Sequence, residues 1–447
     1  MSVSVGFISL GCSKNLVDSQ VMAGYLKAGQ IQLAPSPDVA DIILVNTCAF
    51  IEAAREEAAE AILSACEHKK AGACKAVVVT GCMVQRYRDR LKKAFPAVDA
   101  FIGIDELEQV REVVLQVAAG KRIGVLAQAG EAQKVYNPVY PTLLFTGGPF
   151  SYLKIADGCN HRCAYCAIPL IRGSFRSRAL QDILTEAASM VTAGVRELNL
   201  ISQDSLLYGA DRAKKPQLVE LVKRLDSIEG DFWLRILYGY PAGVTEELIE
   251  LLNTSKHLCR YLDLPIQHSH PEILKAMNRS AAIDATTGLT QRLRKAIPGV
   301  TLRTTCLVGF PGETDAHFEH LLETLEAAAF DHLGVFGYSA EEGTKAFDLE
   351  APPPEVIEER CQRVMALQKK ISKKRMEALK GTRATALLLR KKGKGEWIAR
   401  LPSQAPEVDG ETFVTQVPPT ARAGDFIPVE IIGAKGFDLF AKPVSKR

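Results

Sequence analysis

The sequence predicts an α/β chain in three parts: an N-terminal parallel α/β domain, an open (β/α)6 barrel, and a small C-terminal antiparallel β-barrel. Apolar strand-like runs alternate with helical stretches over most of the chain, which is the pattern of parallel sheets. After the run APPPE and a long charged helix, the last segment loses its helical period and alternates short β-patterned runs with turn residues. A length of 447 residues accommodates two or three packed domains.

In order, residues 3–105 read as VGFISL, a helix near Val17 to Lys27, ADIILVNT, a helix around Glu52 to Glu67, KAVVVT, a helix near Gln85 to Phe95, and AFIGI. Residues 105–149 read as a closing helix and a linker, marked by NPVYP and the pair Gly147 and Gly148. Six strand–helix units follow, at SYLKIAD, RELNLIS, FWLRIL, YLDLPIQ, TLRTTCLVGF and HLGVFGYS. Six units are fewer than the eight of a closed βα barrel, so a lateral opening wide enough for a bulky substrate is expected. A charged helix from Val356 to about Leu379 leads to ATALLLR, GEWIARL, TFVTQV, DFIPVEIIG and FDLFAKP. Domains are expected at 1–140, 145–378 and 380–447.

The net charge of +3 argues against a general nucleic-acid coat and leaves only local basic patches for such contacts. The N-terminus shows no export signal and no apolar run approaches the ~20 residues that span a bilayer, so a cytoplasmic protein without a membrane contact is expected. Eleven cysteines in such a chain point to metal or redox chemistry rather than disulfides.

Cys159, Cys163 and Cys166 form CxxxCxxC in the loop after the first barrel strand, at the carboxyl end where such barrels place their active sites. Three thiolates in one loop can hold three irons of a four-iron four-sulfur (4Fe–4S) cluster and leave the fourth open to a chelating amine and carboxylate. A structural zinc knuckle is the competing reading, but zinc wants four ligands and His161, inside the tight loop, suits a tetrahedron poorly. Cys12, Cys48 and Cys82 are scattered, yet each ends an apolar strand, in ISLGC, LVNTC and VVTGC. Ligands of open parallel sheets gather at the carboxyl ends of the strands, so these thiols can converge on a second cluster. Gly11 and Gly81, directly before their cysteines, and Asn46 and Thr47 suit the tight turns required. The alternative is three unrelated buried thiols. Cys66, Cys74, Cys259, Cys306 and Cys361 have no such context and are read as packing residues.

The CxxxCxxC motif resembles the signature of the radical S-adenosylmethionine (SAM) superfamily. Over its whole length the chain is similar to the methylthiotransferases, which join a three-cysteine domain, a radical SAM barrel and a C-terminal TRAM β-barrel. Within that family GCSKNLVDS at Gly11 to Ser19, YLDLPIQHSHPEILKAMNR at Tyr261 to Arg279, RTTCLVGFPGET at Arg303 to Thr314 and YSAEEGT at Tyr338 to Thr344 resemble the branch that modifies an aspartate of ribosomal protein uS12. The tRNA-modifying branch would show GCQMN and a Q-S-G-S type turn where this chain has Gln267, His268 and Ser269. The resemblance implies two 4Fe–4S clusters, on Cys159, Cys163 and Cys166 and on Cys12, Cys48 and Cys82, and two uses of SAM. One SAM methylates sulfur at the N-terminal cluster; the other yields the 5′-deoxyadenosyl radical that takes hydrogen from the aspartate β-carbon. It also implies Tyr165 beside the adenine, Gly309 and Gly312 close to SAM, uS12 as partner within or outside the ribosomal subunit, an electron donor and a sulfur source.

Several secondary motifs stay open between site and scaffold. GFPGET reads as a SAM contact or a plain βα turn, Gln203 and Asp204 as pocket residues or caps, and Arg303 and His268 as pocket or solvent-facing. Arg390 to Lys394, RKKGK, reads as a solvated hairpin turn. The mild basic excess of the last segment keeps rRNA contact through the TRAM barrel, or methylthiolation of a tRNA adenosine, in view. A non-catalytic iron–sulfur protein for electron transfer or RNA binding is the rival of a different class, and it gives the barrel no purpose.

Overall fold

The computed structural model describes residues 3–128, 130, 132–136, 145–280 and 287–444. The N-terminal domain is a six-stranded parallel sheet in the spatial order Gln32–Leu33, Ser4–Ser9, Ile42–Thr47, Ala76–Gly81, Ala100–Ile102, Gly124–Leu126. The four strands expected from the sequence are its centre. The two edge strands are too short to show a pattern, and Gly124–Leu126 lies in the stretch read as linker. NPVYP falls outside the described residues. Ile42–Thr47 and Ala76–Gly81 are buried along their whole length, which is why both read as continuous apolar runs. The helix expected near Gln85 to Phe95 is two helices, Cys82–Tyr87 and Asp89–Ala94, because Arg88 between them takes a left-handed φ of 40°.

The helix Ser13–Ala28 is buried on nearly every side. Met22 and Leu26 pack with Val5 and Leu44 of the first sheet. Val17 and Val21 pack with Phe150, Tyr152 and Leu237 of the barrel. A helix covered from two sides needs no polar face, and its sequence shows no amphipathic stripe.

The barrel is a six-stranded parallel sheet in the order Phe150–Lys154, Glu197–Ile201, Trp233–Ile236, Leu258–Asp263, Thr301–Val308, His332–Gly337. Its first and last strands do not pair, which leaves the expected lateral opening. Outward-facing Leu153, Leu200, Leu234, Leu262 and Cys306 pack beneath the surrounding helices in the largest core. The helix Pro354–Glu377 then runs to a closed five-stranded barrel. That barrel is antiparallel except where Thr412–Val414 pairs parallel with Asp438–Pro443, a departure from the all-antiparallel expectation. The RKKGK stretch is mostly strand: Arg383–Gly393 runs through it and the reversal falls at Lys394 and Gly395.

The segment 401–411 of the C-terminal barrel closes the base of the open barrel. Pro402 O accepts from Arg235 at 2.7 Å, Glu407 from the Tyr152 hydroxyl at 2.6 Å and Asp409 from the Tyr261 hydroxyl at 2.7 Å. Glu197, fully buried, pairs with both Arg235 and Arg400. Buried charges persist only when paired in this way. Among the described residues no helix is long and apolar enough to cross a membrane.

Candidate functional site

The CxxxCxxC loop leaves the barrel through the short strand Ala156–Asp157 and is tied down along its length. Cys159 N donates to Gly173 O at 3.0 Å, Ala164 N to Met277 O at 3.0 Å, and Cys166 N to Cys163 O at 3.1 Å. Asn278 Nδ2 donates to Arg162 O at 2.7 Å, and Arg279 places Nη1 3.5 Å from Cys163 Sγ. Burial is the largest cause that pushes Cys159 and Cys166 up to about 12, and the neighbouring Cys163 thiol adds to it. Such thiols stay neutral until a cation takes the proton's place. His161 is engaged elsewhere: Nε2 is 2.7 Å from Asp204 Oδ2, and the ring stacks on Tyr240 at 4.1 Å. A zinc knuckle completed by His161 therefore does not fit.

Cys12, Cys48 and Cys82 stand just beyond three neighbouring strands of the first sheet. Gly11 has φ 84°, and a Cβ there would come within 2.7 Å of Cys48 Cβ. Gly81 has φ 99°, with Asn46 Oδ1 2.3 Å from where its Cβ would be. Both positions therefore require glycine, as the turns in the sequence suggested. Asn15 Nδ2 bridges Leu10 O and Thr47 O, and Asn46 Nδ2 donates to Asn15 O at 2.7 Å, which fixes the first two strand ends against each other. Burial pushes Cys82 up to about 12 and raises Cys48, with the neighbouring thiols adding to both shifts. Cys12 alone is exposed. Three thiols form a soft donor set that suits an iron–sulfur cluster.

The two triads meet through one buried ionic network. Arg172, in the short helix Ile168–Arg172 after Cys166, donates to Asp157 at 2.8 Å, Asp18 at 2.8 Å and Asn15 Oδ1 at 3.0 Å, and reaches Cys82 Sγ at 3.4 Å. Lys154 pairs with the same two aspartates, and Gln203 Nε2 donates to Asp157 at 2.8 Å. Burial opposes ionisation of Asp157, yet Arg172 and Lys154 hold its carboxyl well below the usual range. A second tie comes from YSAEEGT, whose Glu341 pairs with Arg55 and, at 2.7 Å, with Arg86 of the N-terminal domain.

The remaining expected residues divide. Tyr165 packs edge-on against Phe310, which packs on Tyr338, so the aromatic lies between the cysteine loop and GFPGET. Gly309 has φ 74° and is crowded by Ile357, so scaffold packing accounts for it, whereas Gly312, φ 85°, faces open space. Asp204 caps the turn at Leu206 N. Arg303 points into the barrel and pairs with Asp263 at 3.1 Å. His268 is fully buried beside Glu313, which also pairs with Arg360. Cys74, Cys259 and Cys306 are buried among apolar neighbours, with Cys66 and Cys361 partly so. Sequence reading passed over Lys14, Asp18, Lys154, Asp157, Arg172 and Arg279. Their signal was charge inside buried runs, as in SYLKIADGC.

Comparison with known proteins agrees with this organisation. Residues 4–103 match the family described as uncharacterized protein family UPF0004, residues 153–325 the radical SAM superfamily, and residues 381–444 the TRAM domain. The ribosomal protein uS12 methylthiotransferase RimO of Symbiobacterium thermophilum is 42% identical over 98% of this chain and 91% of its own length. The protein of the same name from Natranaerobius thermophilus is 41% identical over 98% of this chain and 99% of its own. The radical SAM methyltransferase TsrM from Kitasatospora setae, at 14% identity, shares the fold with a TM-score of 0.57 over 78% of this chain and 77% of that one. With full-length relatives above 40% identity and all three modules in order, the chain belongs to the uS12 methylthiotransferase (RimO) family of radical SAM enzymes.

Proposed function

We propose that this enzyme methylthiolates the β-carbon of an aspartate in ribosomal protein uS12, using two 4Fe–4S clusters and two SAM molecules. One observation supports the reading: Arg172, from the helix that ends the CxxxCxxC loop, touches Cys82 of the other triad, so the two thiol sets are neighbours across one buried ionic network. Cys159, Cys163 and Cys166 would hold the cluster that supplies an electron for SAM cleavage, and Cys12, Cys48 and Cys82 the one that carries sulfur.

The chain's own residues then do the positioning. Tyr165 with Phe310 offers an aromatic wall beside the cysteine loop, and Gly312 leaves room for a close approach. Arg279 sets the Cys163 side of the loop, while Arg172, Lys154, Asp18 and Asp157 fix the separation of the triads. The helix Ser13–Ala28 and segment 401–411 cover part of the flank and the base of the barrel, which limits the access of water from those sides. A loop of uS12 entering there would complete the enclosure. The C-terminal barrel is suited to rRNA contact if uS12 is met within the subunit, and an outside reductant and sulfur source are required.

Mass spectrometry of uS12 and bulk tRNA after anaerobic incubation with the reconstituted enzyme, SAM, dithionite and sulfide tests this. A methylthio group on a uS12 aspartate is expected. A methylthioadenosine in tRNA with unmodified uS12 would replace the substrate, and failure to form 5′-deoxyadenosine would remove the radical chemistry.

A further inference from the structure

Lys14 is 7% exposed and lies at the second position of the helix Ser13–Ala28, two residues beyond Cys12. Its Nζ sits 2.9 Å from the centroid of the Tyr238 ring. Tyr238 follows the barrel strand Trp233–Ile236 and holds a left-handed φ of 61°, a conformation that strains a tyrosine and is kept by its surroundings. Its N–H donates to Asp263 at 3.0 Å, and its hydroxyl lies 3.2 Å from Ser13 Oγ. The ring is thus fixed from both domains, and the ammonium is fixed on the ring.

No carboxylate among the described residues lies within ion-pair reach of Lys14, although the Cys12 thiol, Asp263 and Asp157 are near enough to feel its charge. Both acids are already committed. Asp263 takes Arg303 at 3.1 Å and the Tyr238 N–H; Asp157 takes Arg172, Lys154, Gln203 and the Gly158 N–H. The face of an aromatic ring returns only part of the hydration that a buried ammonium loses, so the ammonium is left without a carboxylate partner in direct contact. It lies at the carboxyl ends of the barrel strands, beside the exposed thiol of Cys12.

We infer that Lys14, held on Tyr238, is the specificity-determining group that binds the carboxylate of the substrate aspartate at the barrel mouth. The inference rests on the proposed aspartate substrate. An ammonium anchored beside Cys12 would place the carboxylate next to the N-terminal triad and bring the adjoining β-carbon to the sulfur. A neutral side chain of the same shape would leave the ammonium unpaired, and charged-group recognition of this kind discriminates strongly.

The test uses reconstituted full-length enzyme with uS12 and with a uS12 variant in which the aspartate modified by the wild type is asparagine. The wild type comes first: no methylthiolated aspartate would sink the proposed function, independently of Lys14. If it is formed, Lys14→Met is expected to lower kcat/KM for uS12 at least about thirtyfold, to weaken equilibrium binding of uS12, and to erase the preference for aspartate over asparagine. Lys14→Arg should restore most of that preference. Iron content per chain guards against a collapsed site. An undiminished preference in Lys14→Met would overturn the inference. So would loss of about half the iron in both Lys14 variants, which would make the ammonium a support for the cluster. A fall in 5′-deoxyadenosine formed without uS12 as large as the fall in methylthiolation would assign it to SAM and equally overturn the inference.

Discussion

The two cysteine triads reach similar surroundings by opposite routes. Cys159, Cys163 and Cys166 sit in one loop, and backbone bonds such as Cys166 N to Cys163 O make much of their arrangement local. Cys12, Cys48 and Cys82 are brought together only when three strands pair in register, Ser9 beside Asn46 and Thr47 beside Gly81. The first triad is a property of a loop and the second a property of a sheet. They should therefore fail differently.

The largest difference is expected in chemistry. Replacing Cys159, Cys163 and Cys166 by alanine should abolish 5′-deoxyadenosine formation. Replacing Cys12, Cys48 and Cys82 should abolish methylthiolation while SAM is still cleaved; chromatography of the deoxyadenosine against mass spectrometry of uS12 separates the two. Next in size is Gly11→Ala, which drives a Cβ into Cys48 in a backbone conformation that alanine resists. It should remove about half of the bound iron, with the remainder showing the behaviour of the loop triad. If Gly11→Ala keeps all its iron, the sheet does not dictate the second triad as argued.

Arg172 tests what the triads share. Arg172→Met strips a cation from buried Asp18 and Asp157 and should cost about 3–5 kcal/mol in denaturant unfolding, because uncompensated buried charge is the main penalty. A loss under about 1 kcal/mol would mean the domains are joined elsewhere, for instance through Glu341.

The smallest effect concerns the scaffold behind the loop triad. Burial, reinforced by His270, His317 and His320, lowers His268 to about 3, below the ordinary histidine value of 6.5. Its Nδ1 accepts from His270 N at 3.0 Å, consistent with a neutral ring. The folded state therefore binds fewer protons than the unfolded state between about pH 6.5 and 3, so this group's stabilisation is complete above that window and is lost as pH falls through it. His268→Asn, which keeps an acceptor for His270, should flatten the acid side of the stability curve by up to about 1.4 kcal/mol per pH unit. An unchanged slope would place the acid sensitivity in other groups.

How much of this could be read from the sequence follows from the same contrast. The CxxxCxxC loop, the six barrel strands and the five strands of the last barrel are local patterns, and each was legible. The Cys12, Cys48 and Cys82 set was legible only because each thiol ends a similar apolar run. The break at Arg88, the two-residue edge strand Gln32–Leu33 and the insertion of segment 401–411 into the barrel base depend on contacts between distant parts of the chain. For the same reason Lys14 was passed over: its burial depends on Tyr238, more than two hundred positions away.

The central claim is that two separate sets of three thiols each hold a cluster. Iron per chain, measured together with the electron paramagnetic resonance spectrum, tests it most directly on the wild type and on the two triple-alanine proteins. The account predicts about eight irons in the wild type and about four in each variant, with two distinct spectra that sum to that of the wild type. About four irons in the wild type, unchanged when Cys12, Cys48 and Cys82 are replaced, would contradict it.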